Sequence, residues 1–432
     1  MAVYVGIQGI QVLVFDDAAD GNAAPIRVIS GIKTHLENVT DIVLDALGNL
    51  YSSQGETNKL VMIAAGAEGN VTPLRNLNGN FTQMHSPQGV AVDSLGNVYA
   101  LNLGVPIPDR NIAVFGPQET GNVPPIRVLT GIQVGNGNLH AIAIDRSDNL
   151  YLSETLPEII SVLAPGANGS VTPVRRIQGS NTGLLAPKGM DFDNANNLYV
   201  SNGANVLVFA PSADADAAPI RTIGGPNSGI SNTSDLAVGP SGEVYVCNVV
   251  DTFGPDNTIL VYPAGADGDV SPVRAIGNPH FDYCGIAIDR PPVSQDDWRW
   301  CSRCEGLFFG GLAADSLCAA GGAHDGSGSA NYTLVLSPFP GQRNWRWCHR
   351  CQGLFFAGDT TTGTCPVGGG HNYADSNDYS LASSPGGTGQ RNWRWCRRCQ
   401  GLFFGGDTTT GTCPAGGGHD YAGSADYVLS QS

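Results

Sequence analysis

The chain has 432 residues, of which 38 are acidic and 22 are basic, and its net charge at pH 7 is −16. An acidic protein repels the phosphates of nucleic acids and anionic membranes, because phosphate binding requires clustered lysine and arginine side chains. No apolar run approaches the roughly 18–20 residues that span a bilayer, so we expect neither a nucleic-acid partner nor membrane insertion.

The chain begins with Met-Ala-Val-Tyr-Val-Gly-Ile-Gln, which lacks the basic start and long apolar core of a signal peptide. The sequence therefore leaves the compartment undetermined: the protein is either cytoplasmic or extracellular by another route. Glycine and proline, with 58 and 27 residues, favour many short strands joined by turns.

Over the first two thirds of the chain, a Pro-aliphatic-Arg triplet recurs roughly every 50 residues, an interval typical of repeated structural units. The six copies begin at Pro25, Pro73, Pro125, Pro173, Pro219 and Pro272. Alternating apolar strands and Gly/Asn turns follow each copy, with about four strands per unit. A unit of four strands in about 45–50 residues is one propeller blade. We therefore predict an all-β fold that begins with a six-bladed β-propeller over residues 1–293.

The two ends of this region complement each other. The sixth unit contains the apolar strand at residues 285–289 but lacks the tyrosine-containing strand that should follow it. Residues 2–5, Ala-Val-Tyr-Val, match that missing strand, as comparison with Asn-Leu-Tyr-Val at residues 197–200 shows. We predict that the N-terminal strand completes the last blade, because closing the ring removes an open sheet edge.

Residues 86–93, Ser-Pro-Gln-Gly-Val-Ala-Val-Asp, show the repeat most completely, with a Gly-Asn turn and a Val-Tyr strand after them. These units resemble the repeats of NHL-type six-bladed propellers. The resemblance implies the fold and says little about activity, since propellers host many functions. Some propellers of this kind are lactonases or other hydrolases that hold a metal ion in the central channel.

A channel metal needs several oxygen or nitrogen ligands that converge from different blades. The residues before the inner-strand glycine, a position expected at the channel rim, are Thr40, Gln88, His140, Lys188, Ser234 and Cys284. His140 and Lys188 are therefore candidate binding residues. The next position adds Asp41, which could pair with His140, and Asp235, but these carboxylates form no continuous ring. We expect no catalytic residues here, and we expect the repeated aspartates before the turns to cap the turn backbone.

The connections after the tyrosine-containing strands vary from blade to blade, at residues 53–58, 102–110, 154–158 and 248–256. In a propeller they all emerge on one face, where variable loops on a constant scaffold commonly form a binding surface. The alternative is that they are tolerated insertions. Cys247 and Cys284 fall on the same face, and we favour buried free thiols over a disulfide between them.

After residue 293 the sequence changes to three near-identical units, predicted as modules at residues 294–340, 341–387 and 388–432. Each contains the spacing Cys-x2-Cys-x13-Cys-x5-His. The three sets are Cys301, Cys304, Cys318 and His324; Cys348, Cys351, Cys365 and His371; and Cys396, Cys399, Cys413 and His419. Tetrahedral Cys3His is a standard structural set for Zn²⁺, and four closed ligands leave no position for catalysis.

Disulfides are the alternative, but three cysteines per unit cannot pair internally and the histidine would then have no role. The Cys-x2-Cys-x-Gly turn resembles a zinc-ribbon or rubredoxin-type knuckle. We predict three structural zinc ions, because Gly-rich units of this size rarely fold on their cores alone. Two packings remain open, a closed pseudo-threefold arrangement like a β-trefoil and three separate ribbons.

Each unit also opens with two tryptophans that alternate along a strand. The pairs are Trp298 and Trp300, Trp345 and Trp347, and Trp393 and Trp395. Such residues either fill the core of a small β module or form platforms on which a sugar stacks.

Together these features favour a non-catalytic recognition or adhesion protein that binds a protein or glycan through the propeller loops and the repeated modules. Multiple copies of one module suit multivalent binding. Two alternatives remain: a lactonase-type propeller hydrolase with an accessory binding domain, and a structural surface protein that assembles with itself.

Overall fold

The computed structural model describes residues 1–7, 9–104, 110–132, 138–250, 257–277, 284–289, 294–336, 341–358, 361–374, 376–383, 389–406 and 411–431, with only the backbone described at 284, 313–315 and 336. The chain divides into two compact units, Met1–Pro291 and Pro292–Ser432. The described residues contain no helix that is long and apolar enough to cross a membrane.

The first unit is a six-bladed β-propeller, as the repeats predicted. The chain starts with β1 (Ala2–Ile7), β2 (Gln11–Asp16) and β3 (Arg27–Ser30). Blade 1 contains β4 (Val39–Leu44), β5 (Leu50–Gln54), β6 (Lys59–Ile63) and β7 (Arg75–Asn78); blade 2 contains β8 (Pro87–Val92), β9 (Val98–Asn102), β10 (Asn111–Phe115) and β11 (Arg127–Thr130).

Blade 3 contains β12 (Leu139–Ile144), β13 (Leu150–Thr155), β14 (Glu158–Leu163) and β16 (Arg175–Ile177). Between β14 and β16, the short strand β15 (Gly169–Ser170) pairs with β11 of blade 2. Blade 4 contains β17 (Pro187–Phe192), β18 (Leu198–Asn202), β19 (Asn205–Phe209) and β20 (Arg221–Gly224); blade 5 contains β21 (Thr233–Val238), β22 (Val244–Asn248), β23 (Thr258–Tyr262) and β24 (Arg274–Gly277). Single-turn 3-10 helices at Ile32–Thr34 and Asn80–Thr82 join blades.

The sixth blade combines both ends of this unit. Its inner strand is β25 (Cys284–Ile288), and β1, β2 and β3 follow outward in that order. Strand β1 runs antiparallel to β25 with Val5 opposite Ile286, and all six of its residues are buried. The six inner strands then contact one another in the cyclic order β4, β8, β12, β17, β21 and β25. The ring is therefore closed by strand pairing between its two chain ends.

The triplet arginine explains why the Pro-aliphatic-Arg sequence recurs. Arg127 donates to the Tyr99 hydroxyl of its own blade at 2.8 Å and to the Ala167 carbonyl of the next blade at 2.9 Å. The Tyr99 hydroxyl in turn donates to Asp93, whose other oxygen caps the turn by accepting from Leu95 N at 3.0 Å. Equivalent Arg–Tyr bonds occur at Arg27–Tyr4, Arg175–Tyr151, Arg221–Tyr199 and Arg274–Tyr245. The repeated residues therefore connect neighbouring blades and fix the turn after each inner strand.

In the second unit the repeats share one core. The first repeat contributes β26 (Ser294–Trp300), β27 (Leu307–Phe309), a 3-10 segment at Gly310–Asp315 and β28 (Tyr332–Leu336). The second contributes β29 (Gln342–Trp347), β30 (Leu354–Phe356) and β31 (Asp378–Ser383), and the third contributes β32 (Gln390–Trp395), β33 (Leu402–Phe404) and β34 (Tyr427–Gln431). The long strands β28, β31 and β34 each pair with the other two.

The same cyclic relation appears in the backbone and in the aromatic core. Phe309 N donates to Gln352 O, Phe356 N to Gln400 O and Phe404 N to Glu305 O, each at 2.9 Å. Trp298, Trp345 and Trp393 pack edge-to-face on the tyrosines Tyr379, Tyr427 and Tyr332 of other repeats, with ring centres 5.1–5.3 Å apart. The unit is therefore a closed pseudo-threefold arrangement, and separate ribbons are excluded.

Candidate metal centres and propeller channel

Each candidate metal centre begins with a tight turn after the tryptophan strand. In the first repeat, Cys301 N donates to Gly306 O at 3.0 Å and Glu305 N donates to Cys301 O at 2.9 Å. Glu305 adopts a left-handed φ of 64°, and a Cβ atom at Gly306 would lie 3.4 Å from Cys304 Sγ. This turn brings both sulfurs of the Cys-x2-Cys pair to the same side of the backbone.

The third cysteine and the histidine complete each set. The side-chain ligand atoms of each of the three predicted sets lie within 4.8 Å of one another, and all nine cysteines are buried free thiols. The structure therefore brings together every metal-ligating residue that the spacing predicted, with all four ligands of each centre taken from one repeat.

The distances within each set match a tetrahedral ion. The Sγ atoms of Cys301 and Cys318 are 3.8 Å apart, and Cys304 Sγ lies 3.5 Å from His324 Nδ1. The second and third repeats have matching sulfur–sulfur separations of 3.9 and 3.8 Å and sulfur–nitrogen separations of 3.5 and 3.4 Å. A tetrahedron built on metal–sulfur bonds of about 2.3 Å and metal–nitrogen bonds of about 2.0 Å has edges of about 3.8 and 3.5 Å. A disulfide would require about 2.0 Å between sulfurs.

Hydrogen bonds favour the thiolate form at the first cysteine of each centre. Hydrogen bonds from Cys304 and Cys318 lower the pKa of the Cys301 thiol, whereas the bond to Cys301 raises the pKa of Cys304. The backbone N–H of Asp325 also donates to Cys301 Sγ at 3.4 Å, and the corresponding N–H groups of Asn372 and Asp420 do the same in the other repeats. Amide donors around sulfur stabilise its negative charge and orient its lone pairs.

The ligand histidines are held by groups that sequence reasoning missed. His371 Nε2–H donates to Cys399 O, and His419 Nε2–H donates to Cys304 O, each at 3.2 Å. These bonds leave Nδ1 facing the sulfurs, and they link the second centre to the Cys-x2-Cys turn of the third repeat and the third centre to that of the first repeat. The imidazoles also stack on Phe308, Phe355 and Phe403, with ring centres 4.4–4.6 Å apart. Backbone carbonyl acceptors have no residue signature, so no sequence signal could have located these links.

The tryptophans separate into two groups. Trp298, Trp345 and Trp393 have no exposed surface, so the core interpretation holds for them and no ligand can stack on them. Trp300, Trp347 and Trp395 are half-buried, and their Nε1–H groups donate to Glu305, Gln352 and Gln400 at 2.8–3.0 Å. Of the two alternatives, the first tryptophan of each pair therefore fills the core and is not a platform for a sugar.

In the propeller, three inner-strand aspartates bind backbone donors of neighbouring strands. Asp41 accepts from Ile42 N at 2.8 Å and from Val90 N of blade 2 at 2.9 Å. Asp235 accepts in the same way from Leu236 N and Ile286 N, and Asp191 accepts from Phe192 N and Val238 N. Sequence reasoning missed Asp191 because it lies two positions beyond the aligned rim aspartates. The inner strands therefore hold three carboxylates, and each uses both oxygens to join two N–H groups.

His140 and Lys188 lie near each other. The pair that Asp41 could form with His140 does not occur, and Asp41 instead binds the backbone N–H groups of Ile42 and Val90. The His140 side chain is exposed to solvent, although protein atoms surround it on most sides, as at the wall of a channel. Burial and the nearby Lys188 charge lower the pKa of His140 to about 4, so the imidazole is neutral at pH 7. Lys188 Nζ donates to Asn232 Oδ1 at 3.3 Å, and burial lowers its pKa.

The propeller should become less stable as pH rises from about 4 to about 7. Burial and the Asp191 charge raise the pKa of Asp235 from 3.8 to about 7. The folded state therefore keeps a proton that the unfolded chain releases, and this contribution is complete below about pH 4 and lost by about pH 7. Asp235→Asn should make the profile shallower, with the remaining slope coming from Asp41, whose pKa burial also raises, whereas Glu56→Gln, at an exposed carboxylate, should leave it unchanged. Urea unfolding followed by hydrogen exchange of propeller peptides tests this, and an equally steep profile in Asp235→Asn would contradict it.

Two predicted features fall partly outside the described residues. The variable connections at 102–110 and 248–256 include residues 105–109 and 251–256, which are not described. Cys247 is buried and disulfide-bonded, so the expectation of a free thiol at this position was wrong. The side chain of Cys284 lies outside the described residues.

Neither family models nor curated proteins match this sequence. Among solved structures, a protein of unknown function from Bacteroides caccae is 12% identical with a TM-score of 0.47, covering 66% of this chain and 97% of that one. The WD40 propeller domain of Doa1 is 13% identical, with a TM-score of 0.42 and coverage of 64% and 79%. Virginiamycin B lyase from Staphylococcus aureus is 14% identical, with a TM-score of 0.40 and coverage of 61% and 85%. Function must therefore be argued from this chain's own residues.

Proposed function

We infer that this chain is a non-catalytic recognition protein whose propeller binds a protein partner, and whose second unit is a module stabilised by three zinc ions. Zinc is the ion proposed because tetrahedral Cys3His is one of its standard structural sets and the distances fit its bond lengths. Four protein ligands fill each tetrahedral centre, so no coordination position is left for water or substrate.

The observation that carries the binding role is a set of exposed apolar side chains in the connections at one end of the propeller. The opposite end has exposed aliphatic side chains too, such as Leu74 and Val174, but these occupy the triplet position that recurs in every blade. Turns between the second and third strands of a blade, and connections from one blade to the next, emerge at the same end of an antiparallel blade. We call this end the loop face. Large hydrophobic side chains that are 52–90% exposed occur there at Ile10, Ile32, Phe81, Leu156, Leu185 and Val250. Exposed apolar surface of this kind commonly marks an interaction site.

Two properties favour a protein over a glycan at the loop face. Five of the six exposed residues are aliphatic, whereas sugars stack on flat aromatic rings. The propeller's lysines also lie at this end, as Lys33 in a blade connection, Lys59 at the start of β6 and Lys188 on β17. Apolar side chains among scattered cations fit a protein surface with acidic residues around an apolar centre.

Site-specific photocrosslinking in the source cell tests the role of the loop face. A crosslinker at position 81 should capture one defined protein, and a crosslinker at position 126, in a Pro-aliphatic-Arg triplet, should not. When the protein with the crosslinker at position 81 also carries Leu185→Ser, capture of the partner should fall at least tenfold. Removing an apolar contact commonly costs an interface about 1–3 kcal/mol. The purified partner should then bind wild-type protein and not the Leu185→Ser variant.

A hydrolase remains the second candidate because inner-strand carboxylates and His140 lie near the channel. Wild-type protein should show no metal-dependent hydrolysis of lactones or phosphoesters, since each inner-strand aspartate already binds two N–H groups. Hydrolysis that disappears in His140→Ala or Asp41→Asn would replace the recognition role with catalysis.

A further inference from the structure

Two tyrosines of the second unit present their rings to solvent beside the metal centres. Tyr373 is 45% exposed and Tyr421 is 49% exposed, and each follows the ligand histidine of its repeat by two residues. Neither hydroxyl has a hydrogen-bond partner among the described residues. These rings are the accessible aromatic surfaces that the buried and half-buried tryptophans do not provide.

The structure holds each tyrosine ring in place. The Tyr373 ring centre lies 6.0 Å from that of Phe355, which stacks on the ligand His371 at 4.5 Å. The Tyr421 ring centre lies 6.1 Å from that of Phe403, which stacks on His419 at 4.4 Å. In the second and third repeats, the exposed tyrosine therefore lies at an angle against a phenylalanine that stacks on the ligand histidine. The exposed ring rests on a metal centre and needs little ordering when a ligand arrives.

Each ring borders an open cleft that contains polar groups. The cleft beside Tyr421 has a volume of about 440 Å³ and is lined by Arg398, Gly418, His419, Asp420 and Ala422. The Arg398 guanidinium is held by Ala415 O at 2.9 Å, and the Asp420 carboxylate is held by Arg397 at 2.7 Å. The cleft beside Tyr373 has about 600 Å³ and includes Asn372 and Thr362. Both clefts are shallow and open to solvent, so a ligand there would lie against the tyrosine ring with one face and keep its other face in water.

We propose that these two clefts bind β-linked oligosaccharides, with one pyranose ring stacked on Tyr373 and another on Tyr421. A pyranose with equatorial hydroxyls has a flat C–H face that covers an aromatic ring, while its edge hydroxyls reach groups such as Asp420, Arg398 or Asn372. A protein partner would need a wider apolar patch than one tyrosine ring provides. This inference does not rest on the role of the propeller loop face.

The first repeat supplies an internal contrast. It has Gly326 where the other two repeats have tyrosine, although Asp325 and Arg303 correspond to Asp420 and Arg398. A glycine offers no ring for stacking. The chain should therefore carry two sugar sites although it has three metal centres.

The test is calorimetric titration of the full chain with soluble oligomers of β-1,4-linked glucose, xylose and N-acetylglucosamine. At least one oligomer should bind with two sites per chain. Tyr421→Ala or Tyr373→Ala should remove one site, and the double variant should weaken binding at least tenfold. Tyr421→Phe should retain its site because the ring remains. Leu74→Ala, at an exposed apolar residue of the propeller away from the loop face, serves as the control and should bind like wild type.

Metal content and melting temperature, measured in parallel, show that each variant is folded. Binding that is unchanged in the folded double variant would overturn the proposal. It would also be overturned if none of the three oligomers bound wild-type protein at millimolar concentration. Neither result affects the crosslinking test at the loop face, so failure of one proposal is distinguishable from failure of the other.

Discussion

Replacing His371 with alanine should unfold the whole second unit and release metal from all three centres. The substitution removes one ligand and leaves three buried thiol groups without their ion. It also removes the N–H group that donates a hydrogen bond to the Cys399 carbonyl oxygen of the third repeat. A structural zinc site contributes on the order of 10 kcal/mol to folding in small zinc-dependent units. That is comparable with the whole stability of a typical domain, about 5–15 kcal/mol.

The unfolding should spread because the repeats share one core. Strands β28, β31 and β34 pair cyclically, and the buried tryptophans pack on tyrosines of other repeats. Local ligands by themselves would predict that each centre acts within its own repeat. The cross-repeat hydrogen bonds and the common core predict loss of all three centres together.

Native mass spectrometry and tryptophan fluorescence test this prediction. All six tryptophans lie in the second unit, so their emission reports this unit alone. Wild-type protein should hold three ions per chain, and His371→Ala should hold fewer than one and show the red-shifted emission of exposed tryptophan. Tyr373→Ala, two residues away and outside the ligand set, should retain all three ions. A His371→Ala protein with two ions and two thirds of its native emission would show that the repeats are independent.

Deleting residues 1–7 should prevent the propeller from folding. The deletion removes β1, which pairs with both β2 and β25, and it exposes the inner strand of the sixth blade. The lost side chains include Val3, Tyr4, Val5 and Ile7, all at most 5% exposed. Burying one such side chain contributes about 1.5–3 kcal/mol, so the four together approach the stability of a typical domain.

A point substitution makes the same prediction testable in a protein that still folds. Val5→Ala should lower the melting temperature of the propeller by several degrees, since a cavity of this kind costs about 1–3 kcal/mol. Met1→Ala, at a residue that is 44% exposed, should have no measurable effect. Scanning calorimetry of both variants and of the deletion measures these shifts. A deletion protein that melts like wild type would show that β1 is not needed to close the ring.

The sequence alone determined the features that depend on local repetition. The spacing of the triplets gave six blades because the triplet recurs once per blade, and in five of the six blades its arginine binds the tyrosine of the same blade. Residues 2–5 could be recognised as the missing strand because their apolar and tyrosine positions match those of the other blades. The ligand spacing gave three metal sets because all four ligands of a centre lie within one short segment.

Tertiary structure decided what depends on neighbouring repeats and on backbone atoms. The histidine Nε2–H bonds end on carbonyl oxygens, which every residue possesses, so no pattern of side chains marks them. The two tryptophans of each strand alternate in the same way in all three repeats, so the sequence does not distinguish their environments. Only the packing of the three repeats around a common core decided that Trp298 is buried and Trp300 is half-buried. Likewise, only the folded repeat shows that Tyr421 is exposed while its ring lies against Phe403. Local spacing therefore specifies repeated units and their ligands, whereas burial and cross-repeat contacts depend on how the units close upon one another.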